Sequence, residues 1–214
     1  ELMDADFAEA EFKKAEFNDA RFGEGDFNKA KFDEVYFNGV DFKKANFYET
    51  RFGKVKFNKA SFEEAEFEEV GFEDVDFTNA KFGSARFDKV EIGKADFKQL
   101  EFGERGFIIF SSTLFKNPHF VSFDGTDVTN FLFLNTDIER ISLANAKFGN
   151  SLLRVHVFLR DPRVEINRTF DDVIETYVRI RGNLERNLRF SDAGRFFYGE
   201  MEARRERKYY EYLR

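Results

Sequence analysis

Residues 61–80, SFEEAEFEEVGFEDVDFTNA, carry eight acidic side chains and no basic one: Glu63, Glu64, Glu66, Glu68, Glu69, Glu73, Asp74 and Asp76. A run of this kind attracts a basic partner through its field, or stands in for a phosphate backbone. These eight are the candidate partner-binding residues. Paired carboxylates also act as general acid and base where they converge in a sheltered site, but every pair here falls at an outward position of a repeat.

The other chemistry-bearing residues are sparse. His119 and His156 are the only histidines, one beside Pro118 and one in an apolar run, and each reads as a structural or surface residue. No phosphate-binding loop is present, and the scattered Gly23, Gly53, Gly83 and Gly103 read as corner residues that need open backbone angles. A basic run, Arg204, Arg205, Arg207 and Lys208, is interleaved with Glu202 and Glu206 and followed by Tyr209 and Tyr210. It has the composition of a salt-bridged exposed helix rather than of a nucleic-acid or lipid contact. The motif NRT at Asn167 matches a glycosylation acceptor, discounted without a secretion signal. The expectation is no catalytic residue, no metal site and no cofactor. Nucleic acid and small-molecule substrates are not expected as partners.

What must position these residues is an unusual scaffold. Of 214 residues, 32 are Phe, with no Cys or Trp and two Pro. From Phe7 to Phe107, 21 positions fall five apart and 20 hold Phe, the exception being Ile92. Two residues before each, from Ala5 to Ala95, stands a small or β-branched side chain, as at Ala5, Ala10, Ala15, Ala20, Val35 and Thr50. An α-helix rotates each such Phe by about 140° from the last and smears the rings over every side. In a flat strand an odd step sends alternate rings into water. What remains is a chain that turns a corner in every pentad and stacks coil upon coil.

Outward charges set the number of pentads per coil. At a spacing of 20 the columns read Lys14, Glu34, Lys54, Asp74, Lys94, then Glu9, Lys29, Glu49, Glu69, Lys89, then Glu24, Lys44, Glu64. Nine vertical pairs are opposite in sign and one is alike, whereas a spacing of 15 stacks mostly like charges. Four pentads per coil follows. Asn18, Asn38, Asn58 and Thr78 form the matching amide ladder, and Lys43, Lys44, Lys54 and Lys56 lie beneath Glu63, Glu64, Asp74 and Asp76. The rings of Phe7, Phe12, Phe17, Phe22, Phe27, Phe37, Phe57, Phe77 and Phe97 belong to the axial core.

These units, A(D/N)F followed by two polar residues, resemble the pentapeptide repeat proteins over about residues 1 to 107. The resemblance implies a mainly β fold, a right-handed quadrilateral β-helix. Some members mimic DNA toward DNA gyrase, which makes an acidic DNA mimic that inhibits or protects a DNA-binding enzyme the alternative to a non-catalytic interaction scaffold with a protein partner.

The expected organisation is a repeat β-helix over 1–150 interrupted at about 108–122, a strand and connection over 151–170, and a C-terminal helical hairpin cap over 171–214. After the interruption the phase resumes at Phe123, Val128, Phe133, Ile138, Leu143 and Phe148. SLLRVHVFLR reads as a strand and DPRVEINR as a connection; beyond them Val173, Ile174, Tyr177, Ile180, Leu184 and Leu188 recur at helical spacing. A second helix is expected from about Ser191. Tyr177, Ile180, Leu184, Ala193 and Phe197 resemble a tetratricopeptide hairpin, which departs from that pattern at Arg181 and Glu200. RFSDAGRFFYGEMEARR is similar to the helical tail of some pentapeptide repeat proteins. A membrane segment follows in some of these, but no membrane role is carried over to this chain.

Net charge is −7, divided as −10 over residues 1–150 and +3 over 151–214. No apolar run reaches the roughly 20 residues of a membrane span, and a cytoplasmic protein is expected. The chain starts at Glu1 already in repeat phase, an indication of sequence upstream, and a homodimer through an exposed solenoid end is one expected assembly.

Overall fold

The computed structural model describes residue 2 and residues 5–149, 152–159 and 169–212. Strands follow one another as β1 (Glu11–Glu16), β2 (Lys31–Tyr36), β3 (Asp41–Phe42), β4 (Arg51–Lys56), β5 (Ser61–Phe62), β6 (Ala65–Glu68) and β7 (Gly71–Asp76). They continue as β8 (Lys81–Asp88), β9 (Glu91–Asp96), β10 (Glu101–Ser111), β11 (Leu114–Phe115), β12 (Val121–Ser122) and β13 (Phe131–Leu134). Among the described residues three helices follow: α1 (Arg154–Leu159), α2 (Phe170–Arg186) and α3 (Phe190–Tyr212).

All pairing is parallel, and consecutive coils are offset by 20 residues: Phe12 faces Phe32, Phe32 faces Phe52, Phe52 faces Phe72, and Phe72 faces Ile92. One sheet runs β1-β2-β4-β7-β9-β11, with β12 also on β9; the other runs β13-β10-β8-β5-β3, with β6 on β8. The result is a β-solenoid of about six turns, four pentads to a turn.

Its core is four columns of phenyl rings. Phe17, Phe37, Phe57, Phe77, Phe97 and Phe123 stack nearly parallel with centroids 5.1 to 5.4 Å apart. Phe7, Phe27, Phe47, Phe67 and Phe87 form a second column, and neighbouring columns meet edge to face, as Phe37 does with Phe42. Offset stacking along a column and edge contacts between columns satisfy the ring quadrupoles together. From Gly25 to Ala95 the small residue two places before each ring is buried too, because it turns inward at the preceding corner, while Ala5, Ala10, Ala15 and Ala20 in the first coil are half-buried.

The corners are tight turns. Phe7 C=O accepts from Ala10 N–H at 3.0 Å and Glu9 between them has φ of 60°, the left-handed third position of a type II turn. Asp19, Lys29, Glu49, Lys59, Glu69, Asn79, Lys89 and Gln99 repeat this conformation. The corner role expected of four glycines therefore holds only for Gly23, at φ of 58°, while Gly39 and Gly125 are corner glycines at φ of 67° and 71°. Gly53 serves close approach instead, since a Cβ there would lie 2.6 Å from Asp33 O, and Gly83 and Gly103 are at ordinary angles.

The expected interruption over 108–122 resolves into two insertions of three residues each. The offset grows from 20 at Phe102 and Phe82 to 23 at Phe107 and Ser84, then to 26 at Val121 and Ala95, and returns to 20 at Ser122 and Ser142. Ile108–Ser111 stay in the sheet, between β8 and β13. The extra residues lie around Gly103–Gly106 and around the 3₁₀ turn Pro118–Phe120. In consequence Phe107 is only half-buried and Phe110 takes the axial place, 5.0 Å from Phe87 and 5.6 Å from Phe133.

Residues 154–159 are helical, not the expected strand. An apolar alternation over so few residues does not separate the two, and packing decides: Leu153 N–H donates to the Tyr177 hydroxyl, and Val155 and His156 are buried beside it. DPRVEINR, and with it Asn167, lies outside the described residues. Thr169 caps α2 in a reciprocal box with Asp172, and α3 starts at Phe190, one residue before the expected Ser191.

Candidate interaction surfaces

The eight acids of residues 61–80 do not share a surface. One lap of chain visits four faces, so Glu63 and Glu64 lie on the face of β3 and β5, Glu66, Glu68 and Glu69 on the next, Glu73 and Asp74 on the face of β4, β7 and β9, and Asp76 at the corner beyond. Bases meet most of them from adjacent coils. Lys44 reaches Glu64 at 3.4 Å, Lys89 reaches Glu69 at 3.1 Å and Glu68 at 3.7 Å, Arg86 is the register partner of Glu66, Lys54 and Lys94 flank Asp74, and Lys56 is opposite Asp76.

A different acidic surface emerges from the stacking. On the face of Phe7, Phe27, Phe47, Phe67 and Phe87, the outward positions hold Asp6, Glu9, Asp26, Glu49, Glu66, Glu68, Glu69 and Asp88 against Lys29, Arg86 and Lys89. The adjoining face of β1, β2, β4, β7 and β9 balances six acids with six bases. On the acidic face a hydrogen bond to Glu49, then the charges of Glu49, Glu69 and Glu68, push the Tyr48 phenol up to about 12. The Glu69 carboxylate likewise raises the Lys89 ammonium above its ordinary value, with help from Glu68 and Asp88. The signal was present in the sequence as acids recurring every 20 residues, where a linear run had drawn attention instead.

The ladder begins as expected with Asn38 Nδ2 donating to Asn18 Oδ1 at 2.9 Å, and Asn46 Nδ2 repeats the motif one face away by donating to Asp26 Oδ1 at 3.0 Å. Asn58 and Thr78 continue the same column position in the next two coils.

The distal end of the solenoid is a second built surface, already occupied by the hairpin. Asn183 Nδ2 donates to Ile138 O at 2.7 Å and to Ile141 O at 2.9 Å, Arg179 to Thr136 O at 3.0 Å, and Arg189 to Leu143 O at 2.8 Å. In the other direction, Phe133 N–H donates to Thr176 Oγ1 at 3.0 Å and Asn135 N–H to Glu175 Oε1 at 2.7 Å. Backbone groups that a further coil would have paired are thus met by side chains of α2 and of the link that follows it. None of these latch residues is visible in the sequence, because their partners are backbone groups and not side chains.

Of the hairpin residues expected to pack, Tyr177, Ile180, Leu184 and Ala193 are buried, but Phe197 is 46% exposed and Phe196 is the buried ring. Phe196 lies over Phe148 and Tyr177, whereas Phe197 faces outward beneath the Arg181 guanidinium. Arg181 and Glu200, where the tetratricopeptide pattern asks for small residues, form an ion pair at 3.3 Å within the hairpin. His156 is buried, with Nδ1 3.0 Å from the Tyr177 hydroxyl and Nε2 3.2 Å from Glu206. His119 is exposed on the second insertion. Of the basic run, Arg204 pairs with Glu200, Arg205 with Glu202, and Arg207 with Asp171 and Glu211.

A groove of about 530 Å³ runs along α2 between Asp137–Glu139 and α3, floored by Ile138, Ile174 and Val178. Its charged rim is committed to ion pairs, Arg179 with Glu175, Arg186 with Glu139 and Arg204 with Glu200. Among the described residues no group of three or more His, Asp or Glu is placed to hold a metal, and no helix is long and apolar enough to cross a membrane.

A parallel β-solenoid with pentad corners, a packed aromatic axis and a helical cap defines a repeat scaffold whose surfaces are its outer faces and its ends. A family model described as a pentapeptide repeat region matches residues 25–107, and one described as pentapeptide repeats in eight copies matches residues 1–39. The chain belongs to the pentapeptide repeat family. No curated protein and no solved structure matches it.

Proposed function

We propose that this protein is a non-catalytic scaffold that presents its acidic face to a basic region of a macromolecular partner. The observation that carries the reading is the gathering of eight carboxylates against three cations on one flat face, while the adjoining face is balanced. Flat sheet faces of fixed spacing hold these charges with little freedom to lose on docking, and the field favours encounter with positive surfaces. Affinity capture from source-cell extract tests it with two charge-neutralised variants. Glu49→Gln with Glu68→Gln and Glu69→Gln is expected to lose the captured protein, and Glu63→Gln with Glu64→Gln and Glu73→Gln to keep it. Equal retention by both, or a captured partner with an acidic contact region, overturns the reading.

The same face supports the second reading, an acidic DNA mimic acting on a DNA-binding enzyme such as DNA gyrase, because a file of carboxylates resembles a phosphate backbone in charge. Lys29, Arg86 and Lys89 interrupt that file, which favours the first reading. A gyrase supercoiling assay at micromolar protein decides: absence of inhibition or protection disposes of the mimic.

A further inference from the structure

We propose that the outer face of α3 is a homodimer interface, covered by the α3 of a second copy lying antiparallel to it. The helix is apolar on both sides. Its inner face buries Ala193, Phe196 and Ala203 against the rest of the hairpin, while Phe190, Phe197, Tyr198, Met201, Tyr209 and Tyr212 stand outward, 38 to 89% exposed. An outward face carrying this many large apolar side chains is an exposed patch of the kind that marks a protein–protein contact. At about 200 Å² for each fully exposed aromatic, these side chains offer roughly 700 Å², close to the about 800 Å² per partner of a standard stable interface.

Gly194 is the independent observation. A glycine inside a helix is destabilising relative to alanine. Gly199 has a reason within the chain, since a Cβ there would lie 2.4 Å from the Tyr177 ring; at Gly194 nothing lies within 4 Å. A small exposed residue in the middle of an aromatic face is what close approach of another helix requires.

Spacing and charge select the second copy and its direction. Phe190, Gly194, Phe197, Met201, Arg205, Lys208 and Tyr212 are all exposed, and their intervals read the same forward and backward about Met201. An antiparallel copy sets Phe190 against Tyr212, Gly194 against Lys208, Phe197 against Arg205, and Met201 against itself. The Phe197 ring thus meets the Arg205 guanidinium of the other copy, Phe190 meets a Tyr212 ring, and the glycine gives room to the lysine stem. A parallel copy would set Arg205 on Arg205 and Lys208 on Lys208, a repulsive arrangement.

Light scattering of the intact chain is expected to give a dimer, and Phe190→Glu with Tyr212→Glu a monomer of unchanged circular dichroism. Because the chain has no Cys, single cysteines report the register. Under mild oxidation Met201→Cys is expected to form a covalent dimer and Lys208→Cys none, whereas Lys208→Cys mixed with Gly194→Cys cross-links. These changes at exposed positions keep the test valid if the double glutamate variant misfolds. A monomer at all concentrations, self-linking of Lys208→Cys as fast as Met201→Cys, a dimer that survives the glutamate substitutions through the solenoid end, or a monomer that instead sediments with anionic lipid vesicles each overturns the proposal.

Discussion

Residues 7–97 and the segment from Gly103 onward solve the same problem by opposite means. In the first, each coil is a template for the next: identical rings stack, charges alternate up the column, and every backbone group of a strand finds the equivalent group one coil away. In the second, register shifts twice, Phe107 yields its place to Phe110, and the final coil is completed by Asn183, Arg179, Arg189 and Thr176. Repetition supplies partners for every coil except the last, so an end must be built from something that does not repeat.

The largest test of that contrast is to delete the hairpin after residue 149. Phe131, Phe133, Ile138 and Ile141 then lie open beside unpaired carbonyls, and the truncated chain is expected to self-associate by light scattering and to lose cooperative thermal unfolding. Phe57→Ala comes next. It empties a site between Phe37 and Phe77 and is expected to cost about 3 to 5 kcal/mol in chemical denaturation, whereas Phe107→Ala in the irregular coil costs about 1 kcal/mol or less. Equal effects would erase the distinction.

Asn183→Ala probes the cap alone. Orphaning the Ile138 and Ile141 carbonyls is expected to cost about 2 kcal/mol and to raise hydrogen exchange in α2 and the last coil while leaving β2 and β4 unchanged. Lys54→Glu probes the repeat alone, setting a third acid between Glu34 and Asp74 for an expected loss of only about 0.5 kcal/mol.

The smallest effect is the pH dependence of the exposed pairs. A hydrogen bond from Lys31 holds Glu11 below its ordinary value, one from Tyr36 does so for Glu34, and one from Lys116 for Glu91. A carboxylate with a lowered folded pKa contributes stability that is present above its unfolded value and lost as pH falls through the folded one. Thermal melts are expected to weaken gently on that acid limb, and Glu11→Gln with Glu34→Gln and Glu91→Gln to flatten it. Tyr48 provides the opposite limb. Its phenol, raised to about 12, holds a contribution that fades as pH climbs from the ordinary phenol range toward that value, which ultraviolet titration of the Tyr48→Phe variant isolates.

Much of the repeat was legible because each pentad restates one rule. Phe at every fifth place and alternating charge at every twentieth predict the four-pentad lap, and Phe12 opposite Phe32 meets that expectation. The acidic surface was legible only in part. The run from Glu63 to Asp76 is contiguous in the chain but spread over the faces of one lap, while Glu49, Glu68 and Glu69 become neighbours only by stacking. SLLRVHVFLR misled because a short alternating run suits either element, and contact with Tyr177 favours a helix from Arg154.

By itself the sequence determined the lap length, the aromatic axis and the presence of two terminal helices, since each is written as a period and periods need no knowledge of distant partners. Tertiary structure alone decided where the two insertions fall, that Phe196 and not Phe197 turns inward, and which side chains close the last coil. Those outcomes depend on groups distant in the chain meeting in space, as Asn183 Nδ2 and the Ile138 carbonyl do. A backbone carbonyl leaves no mark in the sequence of the side chain that will reach it.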